Sequence, residues 1–556
     1  MAAYDPILTE IIRSALNSAA DEMNSTLIRS AYTPVIYEMK DCAVGLLDEN
    51  HKTLGQSAGL PIFLGNLEIV TEYTEKLYGR EVWQPGDVWI LNDSYIAGTH
   101  LHDMTVYGPV FVDGELVGFS TCRAHWLDVG GKDAGSTTDS VDIFQEGLRV
   151  GALRVMQAGE LVEDVADLLA RNSRFSYPAR GDLFAMIACV KTGQSRLAAI
   201  MKKFGIGDVK RARDEIFAQT ARFEQATIRA IPDGEYYAEG CIDDDGVGSE
   251  PFWVRLKVIV DGERITFDLR DSSDAARGPV NCGASQAISA ARVAYKLLIS
   301  PDKPVDGGAF STLDVLVREG SILGAQPPSP CEWYFSSLGL LIDLAVKAFE
   351  TVLPDRVAGA SAGDSMVIGI GGSDPRNHGV PFLLYEPTVG GWGAWDGGDG
   401  QDGLINNVNG SLKDMAVEII ETKYPIHMIH YRFRADSGGA GQWRGGNGVE
   451  RKYEVEVDGA WLSLWFERSV TPAWGLAGGR SATPPEVWLN EGEPDARMML
   501  KINALPIKRG DIVTTRSGGG GGYGDPAARS REAVEADLRE GQLTPDAAKV
   551  LYGYRP

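Results

Sequence analysis

THLHDMTVYGPVFVDGELVGFSTCRAHWLD, residues 99–128, is the stretch on which the reading of this chain turns. The whole sequence has 7 histidines, and His100, His102 and His125 all fall here, with Asp103 and Asp128 beside them. Two runs of strand-forming residues, MTVYGPVFV and ELVGFSTCRAHW, flank Asp113-Gly114. That dipeptide favours a tight hairpin because both of its residues accept positive φ. The hairpin folds the chain near residue 102 back beside residue 125, so the histidines converge. A two-residue loop pairs Val112 with Glu115 and sets His102 opposite His125. A three-residue loop with a glycine bulge shifts the register by one and sets Asp103 opposite His125 instead. The residues alone leave both registers open.

Two imidazoles with one or two carboxylates form a donor set for a divalent metal such as Zn, Mn or Fe(II), and open positions on the ion serve Lewis-acid chemistry. A single histidine at a strand end is ordinarily satisfied by neighbours and solvent. Three on facing strands with adjacent aspartates point to the metal. His51, His378, His427 and His430 lie in no such cluster and read as structural or surface residues. Asp41, in YEMKDCAVGLLDENH, opens an apolar strand. A carboxylate there is costly unless it is paired or metal-bound.

A chain of 556 residues predicts roughly two to four domains with hydrophobic cores. Its 44% hydrophobic and 23% charged content is that of an ordinary globular protein. The net charge of -24 argues against nucleic acid or an anionic membrane as a partner, since both select clustered Lys and Arg. No apolar run reaches the roughly 18 residues of a membrane span. The start, MAAYDPILTEII, has no basic segment followed by an apolar block, so no signal peptide is expected and the protein is placed in the cytoplasm. Cys42, Cys122, Cys189, Cys241, Cys282 and Cys331 stand singly with no CxxC pair, the usage of a reducing compartment.

Strands do not alternate regularly with helices and no tandem repeat occurs, so the expected class is α+β: a multi-domain chain with antiparallel β-rich regions, not a doubly wound sheet. Residues 1–158 read as an N-terminal helix, starting at Asp5-Pro6, plus a β-rich metal-site domain. Residues 159–232 read as a helical segment and 233–364 as an α/β segment with helices at 284–299 and 334–352. Residues 365–525 read as a glycine-rich β region and 526–556 as a helical tail. The glycine stretches carry Trp, Tyr and Asp, which favours ordered tight turns over linkers. No GxxxxGK[ST] phosphate loop occurs in the sequence. Cys122 reads as an inert buried thiol. No nucleophile is assigned, and chemistry falls to a metal-activated water or a metal-polarised carbonyl.

Eight segments in order then carry a resemblance over nearly the full length: MKDCAVGLLDENHKTLGQSAGLPIFLGN, WILNDSYIAGTHLHDMTVYGPVF, RAHWLDVGGKDAGS, IFQEGLR, RGPVN, GGWGAWDGGDGQDG, DSGGAGQWRGGNGVER and GGGGGYGDP. In these the chain resembles the B subunits of ATP-dependent hydantoinases and 5-oxoprolinases, a family that also holds caprolactamase and, more distantly, acetone and acetophenone carboxylases. The resemblance implies a cytosolic enzyme working with a separate A-type subunit that binds ATP and Mg. It implies one Zn or Mn ion held by Asp41, His100, Asp103 and His125, which prefers the bulged register and leaves His102 and Asp128 beside the ligands rather than among them. The family pattern at position 102 is commonly Pro or Asn, so His102 is a departure, either a neighbour of the ligands or an alternative ligand. A second departure is Asp396 together with NNVNGS at 406–411, where hydantoinase relatives show an Arg and a His-Met-Thr-Asn run.

The function so implied is the metal-bearing subunit of a hydrolase that opens a small cyclic amide (lactam, hydantoin or oxoproline) in a heterotetramer of two A and two B chains. Two alternatives stand beside it: the catalytic subunit of an ATP-dependent ketone carboxylase, and a non-catalytic scaffold for the ATP subunit. The turns GGWGAWDGG and GGAGQWRGGNG are the expected shapers of the partner interface, because Trp and Arg are favoured at hot spots.

Overall fold

The structure, a computed structural model, describes residues 5–555; the first four residues of MAAYDPILTEII and residue 556, which end the 1–158 and 526–556 segments, lie outside the described residues. The first helix, Pro6–Ser30, begins as the sequence dictates. Asp5 caps it by accepting from the Ile7 and Leu8 amides at 3.0 and 3.1 Å, and Pro6 takes the first turn. Ile12, Leu16, Ala19, Met23 and Leu27 recur on one face and are buried.

That face meets the long helix Ser176–Phe204, which also lies across the central sheet. The sheet comprises β1 (Cys42–Leu47), β2 (Thr53–Gln56), β3 (Val88–Leu91), β4 (Asp103–Val112), β5 (Glu115–His125), β6 (Leu153–Gln157) and β7 (Glu160–Leu161), in the order β2-β1-β5-β4-β3-β6-β7. Every neighbouring pair is antiparallel. One core runs from Ile12 and Leu16 through Val106 and Cys122 to Met186 and Val190, so the helices after residue 158 are a layer on this sheet and no core boundary falls there.

The hairpin takes its loop from one expected register and its pairing from the other. Val112 pairs with Glu115 across a two-residue loop, with Asp113 at φ 51 and Gly114 at φ 84. Further along, Phe111 faces Leu116 but Val110 faces Gly118, so Val117 is inserted as a bulge and Asp103 ends opposite His125. The bulge sits in the strand and not in the loop. Gly118 permits it: φ is 155, and a Cβ there would lie 2.2 Å from the Leu47 carbonyl oxygen. Gly118→Ala is expected to cost about 3 kcal/mol in denaturant unfolding, from backbone strain plus overpacking; an unchanged midpoint would count against the bulge as the device that sets the register.

Beyond the first sheet, β8 (Gly234–Ile242), β9 (Phe252–Asp261), β10 (Arg264–Asp268) and β11 (Leu313–Leu316) form a second, whose β10–β11 pair is parallel. Helices Ala284–Ile299 and Tyr334–Ala348 pack on each other, and the latter on β8 and β9. Then follow β12 (Val367–Asp374), β13 (Val380–Glu386), β14 (Ile426–Phe433), β15 (Val449–Val455), β16 (Ala460–Trp465), β17 (Glu486–Leu489), β18 (Arg497–Met498), β19 (Lys501–Ile507) and β20 (Ile512–Arg516). They make two sheets, β13-β12-β16-β19 and β14-β15-β20-β17-β18. The α+β class is the expected one. Helices Arg531–Glu540 and Pro545–Tyr552 close the chain over a small core of Val534, Leu543 and Ala548.

The three glycine stretches pack against one another. Gly391 N–H donates to Gly518 O at 3.0 Å, Gly446 N–H to Trp392 O at 2.8 Å and Gly520 N–H to Gly446 O at 2.9 Å. Their backbones hydrogen-bond to one another in the interior, and of their tryptophans Trp395 is 42% exposed. No described helix is long and apolar enough to cross a membrane, and all six cysteines are buried free thiols.

Candidate metal centre

The sheet order places β5 between β1 and β4, and the site forms where these three strands meet at one edge. Asp103 begins β4 directly opposite His125, which ends β5. His100 lies in the turn entering β4, where its carbonyl accepts from Asp103 N–H at 3.2 Å. Asp41 precedes β1, and its carbonyl accepts from His125 N–H at 3.1 Å. Hairpin and sheet order together gather residues 41, 100, 103 and 125 around one small cavity.

His100 Nε2 lies 3.0 Å from Asp103 Oδ1 and 3.1 Å from His125 Nδ1, and His125 Nδ1 lies 3.3 Å from Asp103 Oδ1. All three residues are buried. Asp41 lines the same cavity without joining that triangle, and its Oδ1 is buried with no hydrogen-bond partner.

Residues distant in sequence hold the triangle in place. The Glu332 carbonyl accepts from His100 Nδ1 at 3.0 Å, and its carboxylate Oε1 lies 3.2 Å from the same nitrogen. Tyr334 O–H donates to Asp103 Oδ2 at 3.0 Å. The His125 ring stacks with His102 at 5.3 Å and with Tyr385 at 5.4 Å. His102 Nδ1 also reaches within 3.1 Å of Glu332 Oε1, at ion-pair distance but without hydrogen-bond alignment, so this carboxylate oxygen faces both His100 and His102. His102 does not enter the triangle; with His100 and Glu332 it forms a second buried group of metal-capable donors. Asp128 is turned elsewhere: its carboxylate accepts from Arg174 N–H at 2.6 Å, from the Arg174 guanidinium at 2.8 Å and from Ser173 O–H at 3.3 Å. It anchors the entry to helix Ser176–Phe204, and the expectation that it supports the ligands is corrected.

Sequence reasoning missed Glu332, Tyr334 and Tyr385. A signal for Glu332 existed: a lone carboxylate in the run SPCEWYF, the same anomaly that singled out Asp41.

The electrostatics call for positive charge at this spot. Burial pushes the Asp41 carboxyl well above its usual range, and the neighbouring Asp103 charge pushes it further. Burial opposes protonation of His100, yet the carboxylates of Asp103 and Glu332 outweigh it and raise its pKa. Burial opposes ionisation of Asp103 too, and the two histidines overcome it to hold that carboxyl low. Burial takes His125 down to about 4, so its ring is neutral.

The donor set fits a metal ion. A carbonyl only accepts, so the Glu332 contact puts a proton on His100 Nδ1. The raised pKa puts a second proton on Nε2, shared with Asp103 Oδ1, and a bound metal ion would take the place of that proton and its charge. The edges of 3.0 to 3.3 Å also match the separation of about 3.3 Å between ligands around a tetrahedral ion with bonds near 2.0 Å. The cavity measures about 30 Å³ and is walled by Phe63, Tyr334, Tyr385 and Asn409 among others. That is room for one or two waters.

The chain is similar to known proteins over nearly its whole length. A family model described as hydantoinase B/oxoprolinase matches residues 5–526. The chain is 30% identical to the caprolactamase subunit beta of Pseudomonas jessenii, over 100% of this chain and 96% of that one. A crystal structure of the ATP-dependent caprolactamase from Pseudomonas jessenii superposes with a TM-score of 0.90 at 28% identity, covering 99% of this chain and 96% of that one. A nucleotide-free acetone carboxylase structure superposes with a TM-score of 0.88 at 20% identity, covering 99% and 79%, a likeness of fold.

Proposed function

The chain belongs to the hydantoinase B/oxoprolinase family, and on that premise we propose that it is the metal-bearing subunit of an ATP-dependent cyclic amide hydrolase. The observation that carries the reading is the buried triangle of His100 Nε2, Asp103 Oδ1 and His125 Nδ1. We assign these three atoms as ligands of one Zn or Mn ion, with the unpartnered Asp41 carboxylate as the fourth. Bound there, the ion supplies Lewis acidity to a ring carbonyl or to a water.

The chain's own residues prepare the site. The Glu332 carbonyl fixes the His100 tautomer, Tyr334 fixes the Asp103 rotamer, and stacking with His102 and Tyr385 fixes the plane of His125. The apolar walls keep bulk water out. An unstrained amide is a poor electrophile and its hydrolysis is close to balanced, so ATP contributes both rate and direction. The caprolactamase relative is named as a subunit. This supports an A-type partner that binds ATP and Mg, for which we propose two copies of each chain. The six free buried thiols suit the cytoplasm.

The test is turnover by the co-expressed pair supplied with ATP and a panel of lactams, hydantoins and 5-oxoproline. Ring opening that depends on ATP is expected. Labelled bicarbonate fixed into a keto acid from acetone or acetophenone, with no ring opened, would replace this reading with the carboxylase. Within the site, Glu332→Gln keeps the shape but removes the charge behind His100. Metal affinity is expected to fall about 10- to 100-fold in competition with a chromogenic chelator, and an unchanged affinity would show that the Glu332 charge does not support the ligand.

A further inference from the structure

Five of the described arginines are buried, and four of them are paired with carboxylates. Arg451 lies 2.6 Å from Asp414 and 3.2 Å from Glu386. Arg468 lies 3.2 Å from Asp343, Arg444 3.1 Å from Asp402 and Arg529 2.7 Å from Asp399. Arg123 is the fifth. It is fully buried, and among the described residues no carboxylate stands at ion-pair distance from it. Its partners are neutral: Nε donates to Thr105 Oγ1 at 2.8 Å and Nη1 to Asn66 Oδ1 at 2.7 Å, while Nη2 has no partner. Asn66 is fixed in turn, its amide donating to Gln286 Oε1 at 2.6 Å and to Ala97 O at 2.8 Å. The guanidinium is a rigid charge with no counter-ion, an arrangement that costs a fold several kcal/mol unless something offsets it.

The hairpin register says what this charge faces. Thr105 pairs with Arg123 two residues along from the Asp103–His125 pair, so all four side chains leave the same face of the sheet. The guanidinium carbon lies 5.6 Å from the centre of the Phe63 ring, and Phe63 walls the metal-side cavity. Burial takes the Arg123 pKa down to about 10 while the charge of Asp103 acts to raise it, so the group stays cationic. A fixed cation beside the triangle opposes the binding of a metal ion, so holding the metal does not explain it. The account of charge does. Asp41 and Asp103 balance a divalent ion, and the Glu332 carboxylate is turned to His100 and His102. The charge of Arg123 is left over for one more anion.

We propose that Arg123 is a positioning residue acting through its charge: it makes the metal-side cavity a site for a small monoanion beside the ion, and so favours negative charge developing on a substrate oxygen there. The proposal rests on the metal reading above and adds to it a residue that touches neither the ion nor its ligands.

The test measures two affinities on the metal-loaded complex with its ATP subunit: azide by calorimetry, and the metal by competition with a chelator. Azide is expected to bind the unaltered complex. In Arg123→Gln, azide affinity is expected to fall roughly tenfold and metal affinity to rise roughly tenfold, the reach of one unit charge across about 7 Å of protein. Arg123→Lys keeps the charge and is expected to keep both affinities close to those of the unaltered complex. A role in packing alone would weaken both together in Arg123→Gln. That result, or an unchanged azide affinity, would overturn the proposal while leaving the metal reading intact. If Arg123→Gln does not fold, Arg123→Met, which fills the space without charge, takes its place. A metal-loaded complex that binds no azide overturns the proposal without any variant, and a complex that binds no metal overturns the metal reading and this proposal together.

Discussion

Asp103→Ala is expected to abolish ATP-dependent ring opening, a loss of about 10³-fold or more, the scale on which an essential electrostatic group acts. Asp103 touches both other ligand candidates through Oδ1 and is itself fixed by Tyr334 through Oδ2, so no neighbour replaces it. His100→Ala and His125→Ala are expected to match it, and Asp41→Ala to follow. Each also removes a clamp between strand ends. An ion present at a thousandfold above its dissociation constant contributes about 4 kcal/mol, and its loss should appear as a lowered melting temperature. His102→Ala is the contrasting case. It removes one stacking partner of His125 but none of the triangle, so activity should fall partially. Turnover and melting curves across the five variants decide the matter. A silent Asp103→Ala beside an inactive His102→Ala would redraw the ligand set.

The second large effect is predicted far from the chemistry. Gly445→Ala is expected to yield no soluble folded protein. A Cβ there would lie 1.8 Å from the Gly520 carbonyl oxygen, and the obstacle is backbone held by its own hydrogen bonds, not a side chain that can swing aside. Gly459→Ala is the control: φ is 73 and nothing lies within 4 Å of its Cβ, so it should cost only the roughly 1–2 kcal/mol of a left-handed residue. Soluble yield and urea midpoints separate the two. A soluble Gly445→Ala of near wild-type stability would mean the glycine stretches do not pack as described.

What the sequence disclosed was what local pattern can carry. Apolar spacing located helices Pro6–Ser30 and Ala284–Ile299, and Asp113-Gly114 located the hairpin that brings His100, Asp103 and His125 together. The register needed more. Gly118 in mid-strand is the usual mark of a bulge, yet only its approach to Leu47 on the neighbouring strand shows that a side chain is forbidden there. Glu332 and Tyr334 reach the site from more than 200 residues away, by hydrogen bonds spanning 232 and 231 positions, and no periodicity announces such a contact. The glycine stretches announced order through their tryptophans. Their role was hidden because backbone packing against backbone leaves no side-chain pattern to read. Asp128 misled by adjacency: two residues past Trp126 the chain has left the strand and turned toward Arg174.

The most direct test of the central claim is elemental analysis of the purified, catalytically active complex. The account predicts one Zn or Mn per copy of this chain, lost together with activity in Asp103→Ala and retained in His102→Ala. A fully active preparation with transition metal far below one equivalent per chain would contradict it.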